Sequence, residues 1–410
     1  MGDATTWRDG ELRVCADEAA SLLGAPCLAD VRATWASPGQ AVRIVKVLDA
    51  VEPRTKGLGG GGVFPGWLGP SGPPCGVVET GQPGDTTHVL RGAAVVVAGH
   101  LPRAQEAVID MTGPAAGLSP FGATHNLVVE FTAAPDADWA EVDDALRRGA
   151  LALAARLAEA CLDVPPDEVE ELPAPAAVNG LPRVAALTNL QTQGTFKDVF
   201  VHGQSFSGAP PTVFDPGEVD DGAVVSGQYG HPALRNPTWA HQNHPVVAAL
   251  RARHGHDLSF AGLVLSPEPV DAAAKERVSA AAARVCADAG FDAVVVTKEG
   301  GGNADADMSL KMDALEDLGV TAVGLFAEMA GPDGTGPPIV VAPERATAMV
   351  STGNYDTRLE LPEMETGLGG ARLALLDLPA TSAMELPTAV VLAALSPLGW
   401  GHLTCSSPAS

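Results

Sequence analysis

Ala293-Val-Val-Val-Thr297 runs without a break into Lys298-Glu-Gly-Gly-Gly-Asn-Ala-Asp-Ala-Asp-Met308, and this junction decides how the chain reads. A short valine-rich run has the pattern of a strand. The consecutive glycines that follow let a backbone approach a neighbour closely, with no Cβ in the way. Glu299, Asp305 and Asp307 place carboxylates around the same loop. In open α/β sheets, ligands sit beyond the carboxyl ends of strands, where a loop enters the next helix, so position and composition agree on a binding loop. Gly300, Gly301, Gly302 and Asn303 are its expected ligand-facing residues. The plainer alternative is a tight turn in which Asp305 or Asp307 caps a helix over 308–318.

Outward from this junction the pattern repeats as strand, loop and helix. Strands are expected at 184–190, 223–226, 262–265, 292–297, 322–326 and 339–342, and helices at 245–254, 270–289 and after 308. Such alternation predicts an α/β fold, a mainly parallel sheet with helices packed on it. Gly255 and Gly290 stand where helix ends favour a left-handed residue, and Pro245 where a first-turn proline is tolerated. Upstream, strand-like runs at 41–48, 89–98, 107–111 and 127–131 precede a helix at 138–161. Its apolar residues Val142, Ala145, Leu146, Leu153 and Leu157 follow the 3.6-residue period. Proline and glycine density then rises over 165–182. The expected organisation is an α+β N-terminal domain at 1–164, a linker at 165–182 and an α/β domain at 183–410 that carries the glycine loop.

The chain of 410 residues suffices for two domains, and its 46% hydrophobic and 18% charged residues are those of an ordinary globular protein. Aromatic residues make up only 4%, so Val, Leu and Ala must fill the cores. A formal charge of -25 argues against nucleic acid and anionic membrane surfaces, which need clustered Lys and Arg. No apolar run is long enough to span a bilayer, and no secretion signal opens the chain, so a cytoplasmic location is expected. Six cysteines without paired spacing suit a reducing compartment and exclude a CxxC motif. Cys161 and Cys286, among alanines on helical patterns, read as buried inert thiols.

Gly57, Gly59 and Gly62 satisfy a G-x-G-x-x-G count, but Val63-Phe64-Pro65-Gly66 follows where the dinucleotide fingerprint needs a helix. Lys56 and Lys298 stand beside glycine loops and read as solvated lysines, with contact to an anionic or carbonyl group as the alternative. In His241-Gln-Asn-His244, Pro245 disfavours helical geometry at His244, which places the pair in the lead-in to a helix. A metal site built on these histidines and a carboxylate is the minor alternative. No G-x-S-x-G elbow or P-loop lysine is present.

Several segments in order along the chain resemble the α/β precursor subunit of component B of glycine, sarcosine and betaine reductases, the family that includes the proline reductase proprotein. They are Val51-Glu-Pro-Arg54 with the following glycines and Phe64-Pro65-Gly66, Ile109-Asp-Met-Thr-Gly-Pro114, and Leu190-Gln-Thr-Gln-Gly194 with Asp198. Asp221-Gly-Ala-Val-Val-Ser-Gly227, Asn236-Pro-Thr-Trp-Ala-His241, Glu299-Gly-Gly-Gly-Asn303 and Thr352-Gly-Asn354 continue the series. The resemblance implies a precursor that cuts itself at a cysteine between the Ser-Gly and Asn-Pro-Thr landmarks. It also implies a pyruvoyl group at the new N-terminus, which forms a Schiff base with the substrate amine. Electrons for reductive C–N cleavage then come from a selenocysteine or thiol on a partner subunit.

This chain departs from that pattern, because Ser226-Gly-Gln-Tyr-Gly-His-Pro-Ala-Leu-Arg-Asn236 contains no cysteine and Tyr229 stands at the processing position. Self-cleavage requires a thiol or hydroxyl on a β-carbon that attacks the preceding carbonyl and then leaves. A phenol does neither, so neither cleavage nor a pyruvoyl cofactor is expected. The same interval brings other chemistry: Tyr229 and His231, with His241 close behind, for proton transfer, and Arg235 as a bidentate clamp on a substrate carboxylate. Glu299, Asp305 and Asp307 are expected to bind substrate or exchange protons. The expected function is therefore that of an uncleaved reductase-component-B-like protein. It acts on a small amino-acid-like substrate, with a partner subunit bearing a redox thiol or selenol. A non-catalytic assembly subunit and a metal-dependent lyase or hydrolase are the alternatives.

Overall fold

The computed structural model describes residues 4–56, 86–172, 176–193 and 198–401. The glycine cluster at 57–62, together with Cys75, Gly194 and Cys405, lies outside them.

In the N-terminal half, helix α1 (Ala16–Leu23) precedes strand β1 (Leu28–Ala36), followed by β2 (Val47–Val51), β3 (Ala93–Ala98) and β4 (His125–Ala133). They form one sheet in the order β1-β4-β3-β2, with only the β4/β3 pair parallel. The single strand expected at 41–48 is two, because Lys46 takes φ 56° and breaks the run between Val42–Val45 and β2. Helix α2 (Trp139–Glu159) starts where its N-cap Asp138 accepts a hydrogen bond from the Ala140 N–H, 2.7 Å away. Its face of Val142, Leu146, Leu153 and Leu157 covers one side of the sheet together with Ala19 and Leu23 of α1. Each such side chain contributes about 1.5–3 kcal/mol by leaving water.

The C-terminal sheet comprises β5 (Arg183–Gln191), β6 (Thr212–Phe214), β7 (Ser259–Glu268), β8 (Ala293–Thr297), β9 (Thr321–Glu328) and β10 (Ala348–Asn354). Its order is β6-β7-β5-β8-β9-β10, parallel throughout except for the edge strand β6. Short helix α3 (Thr238–Gln242) and α4 (Pro245–Arg253) precede β7, α5 (Ala272–Asp288) follows it, and α6 (Asn303–Asp317) joins β8 to β9. The expected strand at 339–342 is absent. Val340 and Val341 there are 64% and 45% exposed, and β10 supplies the edge instead. Residues 165–172 and 176–182 carry no helix or strand and are largely exposed.

The two halves interlock. Thr366–Leu368 pairs in parallel with Val42–Val45, and Leu392, Ala393, Leu398 and Trp239 pack on the face of the N-terminal sheet opposite α2. Arg43, fully buried, grips both oxygens of Asp110 at 2.7 and 2.9 Å and donates to the carbonyls of Pro362, Ala380 and Ser382. Asp49 on β2 accepts from the Thr238 N–H at 2.8 Å and from its hydroxyl at 2.6 Å, which anchors α3 to the edge of the first sheet.

Candidate functional site

The parallel strands β7-β5-β8 change winding direction between β5 and β8, since the chain goes from β5 to one side and returns to the other. Beyond the carboxyl ends of strands at such a switch point, a doubly wound sheet opens its ligand crevice. Gln191 ends β5, Glu268 ends β7, and Lys298 and Glu299 follow β8, so three strand ends deliver polar side chains to one crest.

Glu299 is the hub. Its Oε1 lies 3.0 Å from His241 Nε2, its Oε2 accepts the Gln191 N–H at 2.8 Å, and its own N–H donates to Glu268 Oε1 at 3.3 Å. His241 and Glu299 are 1% and 0% exposed, so water screens this pair little. His241 reaches it from α3, which makes it a helical residue and corrects the expected lead-in geometry. His244 caps α4 and turns the other way, 2.7 Å from the Thr188 hydroxyl, which itself lies 2.9 Å from Thr297 Oγ1. The two histidines thus diverge, and among the described residues no group of three or more potential metal ligands forms.

Burial, followed by repulsion from His241, lowers the His244 pKa from 6.5 to about 3. The folded value lies below the unfolded one, so on acidification the unfolded chain takes the proton first. Stability is therefore lost as pH falls from 6.5 toward 3, at about 1.4 kcal/mol per unit. Between pH 6.5 and 4.5, wild type is expected to lose about 2–3 kcal/mol more than His244→Gln in urea titrations. Parallel losses in the two proteins would remove His244 from this account.

The three glycines answer distinct needs. Gly300 and Gly302 both take φ 69°, while a Cβ on Gly301 would stand 2.2 Å from Met329 Cε. The close approach expected of this loop is, at Gly301, an approach to the protein itself. A Cβ on Gly300 would lie 3.6 Å from Gln191 Nε2, from Gln228 Nε2 and from His231 Cδ2. Both amide atoms of Gln228 and the Oε1 of Gln191 are buried without a hydrogen-bond partner. His231, partly exposed and held at φ 42°, lies 3.5 Å from the Tyr355 hydroxyl and forms the outer rim.

Other expected site residues have different surroundings. Tyr229 turns away from Glu299 into the N-terminal core and donates its hydroxyl proton to Asp143 Oδ1 at 2.7 Å. Arg235, expected to clamp a carboxylate, is 0% exposed and donates instead to the carbonyls of Val47, Leu48, Gln105, Tyr229 and Gly230. Helix α6 begins at Asn303, five residues before the expected start, so Asp305 falls inside its first turn and accepts the Gly302 N–H at 2.8 Å. Asp305 also pairs with Lys298 at 2.7 Å, and Asp307 lies buried between Lys275 and Lys311. Lys298, read as solvated, is 0% exposed and donates to the Gly300 carbonyl at 2.7 Å. Lys56 is likewise buried, paired with Asp221.

Glu268, Gln191 and Gln228 escaped notice as site residues. The available signal was a carboxylate and a carboxamide closing two apolar runs at their carboxyl ends. Cys286 is buried and its thiol is pushed up to about 12, in keeping with an inert cysteine, whereas Cys161 is only half-buried. A separate pocket of about 650 Å³, lined by Gly113, Pro114, Leu361, Pro362 and Met384, is largely apolar and has no part in this cluster. No helix among the described residues is long and apolar enough to cross a membrane.

Some of the landmark residues meet here: Glu299 to Asn303 forms the crest, Gln191 and His241 hold it, and Gln228 and His231 of the 226–236 interval lie against it. The model of the glycine/sarcosine/betaine reductase component B subunits matches residues 1–383. The chain is 35% identical over 420 residues to the glycine reductase complex component B subunits alpha and beta of Peptoclostridium acidaminophilum, covering 98% of this chain and 96% of that protein. With the sarcosine reductase complex component B subunit alpha of the same organism it shares 34% over 376 residues, 90% of this chain and 86% of that one. The betaine counterpart shares 31% over 386 residues, 90% and 85% of the two chains. No solved structure gives a significant match. Identity of this extent along nearly the whole chain makes the protein a member of the glycine/sarcosine/betaine reductase component B family.

Proposed function

We propose that this chain acts as an uncleaved component-B-like subunit. It binds a small amino-acid-like substrate at the Gly300 crest and promotes cleavage at a C–N or related heteroatom bond. A partner subunit carrying a redox thiol or selenol supplies the two electrons. The observation that carries this reading is the 226–236 interval, which lacks the cysteine that self-processing requires yet is built into the core. Tyr229 fills the processing position, but its hydroxyl is engaged with Asp143 and sits on an aromatic ring, not on a β-carbon. Ser226 belongs to a landmark that the family leaves intact. These residues do not fit a pyruvoyl precursor.

The substrate's polar groups would meet Gln191 and Gln228, whose unpartnered amide atoms can both donate and accept, with His231 and Tyr355 at the rim. Behind them, His241 and Glu299 would hold the proton that the departing amine takes up. A positioned imidazole can pass a proton to a leaving group.

Denaturing intact-mass measurement tests the uncleaved state. A single species near 41.7 kDa is the expected result. Two fragments, one with a hydrazine-reactive blocked N-terminus, would restore the pyruvoyl mechanism. Calorimetric titration with glycine, sarcosine and betaine then tests the site, and a chain that binds none of them is an assembly subunit.

A further inference from the structure

Glu268 has no place in the chemistry described so far, yet it is enclosed among buried charged groups. It is 0% exposed at the end of β7, and its Oε2 is buried with no hydrogen-bond partner. The residues opposite one another in parallel β5 and β7 are Asn189 with Ser266 and Gln191 with Glu268, so these four side chains form one polar stripe on one face. Burial, with repulsion from Asp307 and Glu299, raises the Glu268 carboxyl well above the usual carboxylate range, against the pull of Lys298 and Lys311.

The charges that act on it are Asp307 and Lys311 from α6 and Lys298 and Glu299 from the crest, and these pair in turn with Lys275 of α5, Asp305 of α6 and His241 of α3. Lys298 is paired with Asp305, and Lys275 and Lys311 share Asp307. Glu299 is the third carboxylate to set against these three lysines, so they balance without Glu268. A fourth buried negative charge would require a compensating positive one, and the group available is His241, held 3.0 Å from Glu299.

We propose that Glu268 holds one proton in the resting protein and serves as the proton reserve of the Glu299–His241 pair, a positioning residue behind the crest. When the proton leaves Glu268, His241 or the departing amine takes it up, so that the enclosure never carries an uncompensated charge. No electrons move in this step, and the proton is regained from solvent on product release. The reserve role rests on the proposed function, whereas the resting protonation does not.

Infrared spectroscopy of the full chain in H₂O and D₂O at neutral pH tests this. Asp49, Asp110 and Asp220 also have raised pKa values, so the informative signal is the difference between wild type and Glu268→Gln. The expected result is a protonated-carboxyl C=O band, shifted by deuteration, that is present in wild type and lost in a folded Glu268→Gln protein. A difference spectrum showing ionised carboxylate at this position overturns the proposal. So does failure of Glu268→Gln to fold, because a neutral isostere should be tolerated where the native group is neutral. The spectra need no substrate, so a chain without turnover would refute the proposed function while leaving this result readable. With turnover present, Glu268→Gln should lower kcat about tenfold and move the pH profile while sparing KM.

Discussion

Replacing Arg235 with alanine is expected to destabilise the protein by about 3–5 kcal/mol, read as a lower midpoint in chemical unfolding. The guanidinium is wholly buried and reaches five backbone carbonyls, at 2.6 Å from Val47, 2.7 Å from Tyr229, 3.0 Å from Gln105, 3.3 Å from Leu48 and 3.4 Å from Gly230. Truncation strands several buried acceptors at once, and each unmade bond costs about 1–3 kcal/mol. Burial lowers the pKa of the group to about 10, so it is still cationic at neutral pH. Lysine should restore only part of the loss, because a point charge with three donors cannot span a fork of carbonyls. The consequence extends to the site, since Arg235 ties the 226–236 interval to the edge of β2. If Arg235→Ala unfolded like wild type but lost affinity for carboxylate-bearing ligands, the clamp expected from sequence would be restored.

That exchange of roles illustrates what could and could not be read from residues alone. The strand-loop-helix alternation after residue 183 announced the parallel sheet, because β5, β7, β8 and β9 are apolar runs punctuated by glycine and proline. Glu299 and Gly300 were legible because a carboxylate and glycines at a strand's carboxyl end are local signals. The crossing of the chain from β5 to β7 and back to β8 was not, although it makes Gln191 and Glu268 neighbours of Glu299. Charged residues gave the most misleading local reading. Asp305, Asp307 and Arg235 resemble a ligand-binding set in sequence, but each is engaged within the protein, Asp305 by Lys298 of the same loop, Asp307 by Lys275 from α5 and Arg235 by the Val47 carbonyl from β2. The interlocking of Thr366–Leu368 with Val42–Val45 was invisible for the same reason, since parallel pairing over such a separation leaves no periodic trace.

On the proposed function, Glu299→Gln should reduce kcat by about 10²–10⁴-fold with little change in KM. The carboxylate accepts from two sides, taking the Gln191 N–H on Oε2 and facing His241 Nε2 with Oε1. A glutamine of the same size keeps one acceptor for the Gln191 N–H, so the crest retains its shape. Its NH₂ group then confronts His241 Nε2, which must become an acceptor, and the ring's proton moves to Nδ1. The imidazole is left in the wrong tautomer and loses the negative charge that would stabilise its protonated form at just the point where a departing amine needs a proton. Loss of catalysis without loss of binding is what separates this outcome from simple disruption of the crest, because Gln191, Gln228 and Gly300 are untouched. A variant whose kcat stayed within about threefold of wild type would take Glu299 out of the proton-transfer path. A parallel rise in KM and fall in thermal stability would instead reduce it to a strut that holds β5 to the loop after β8.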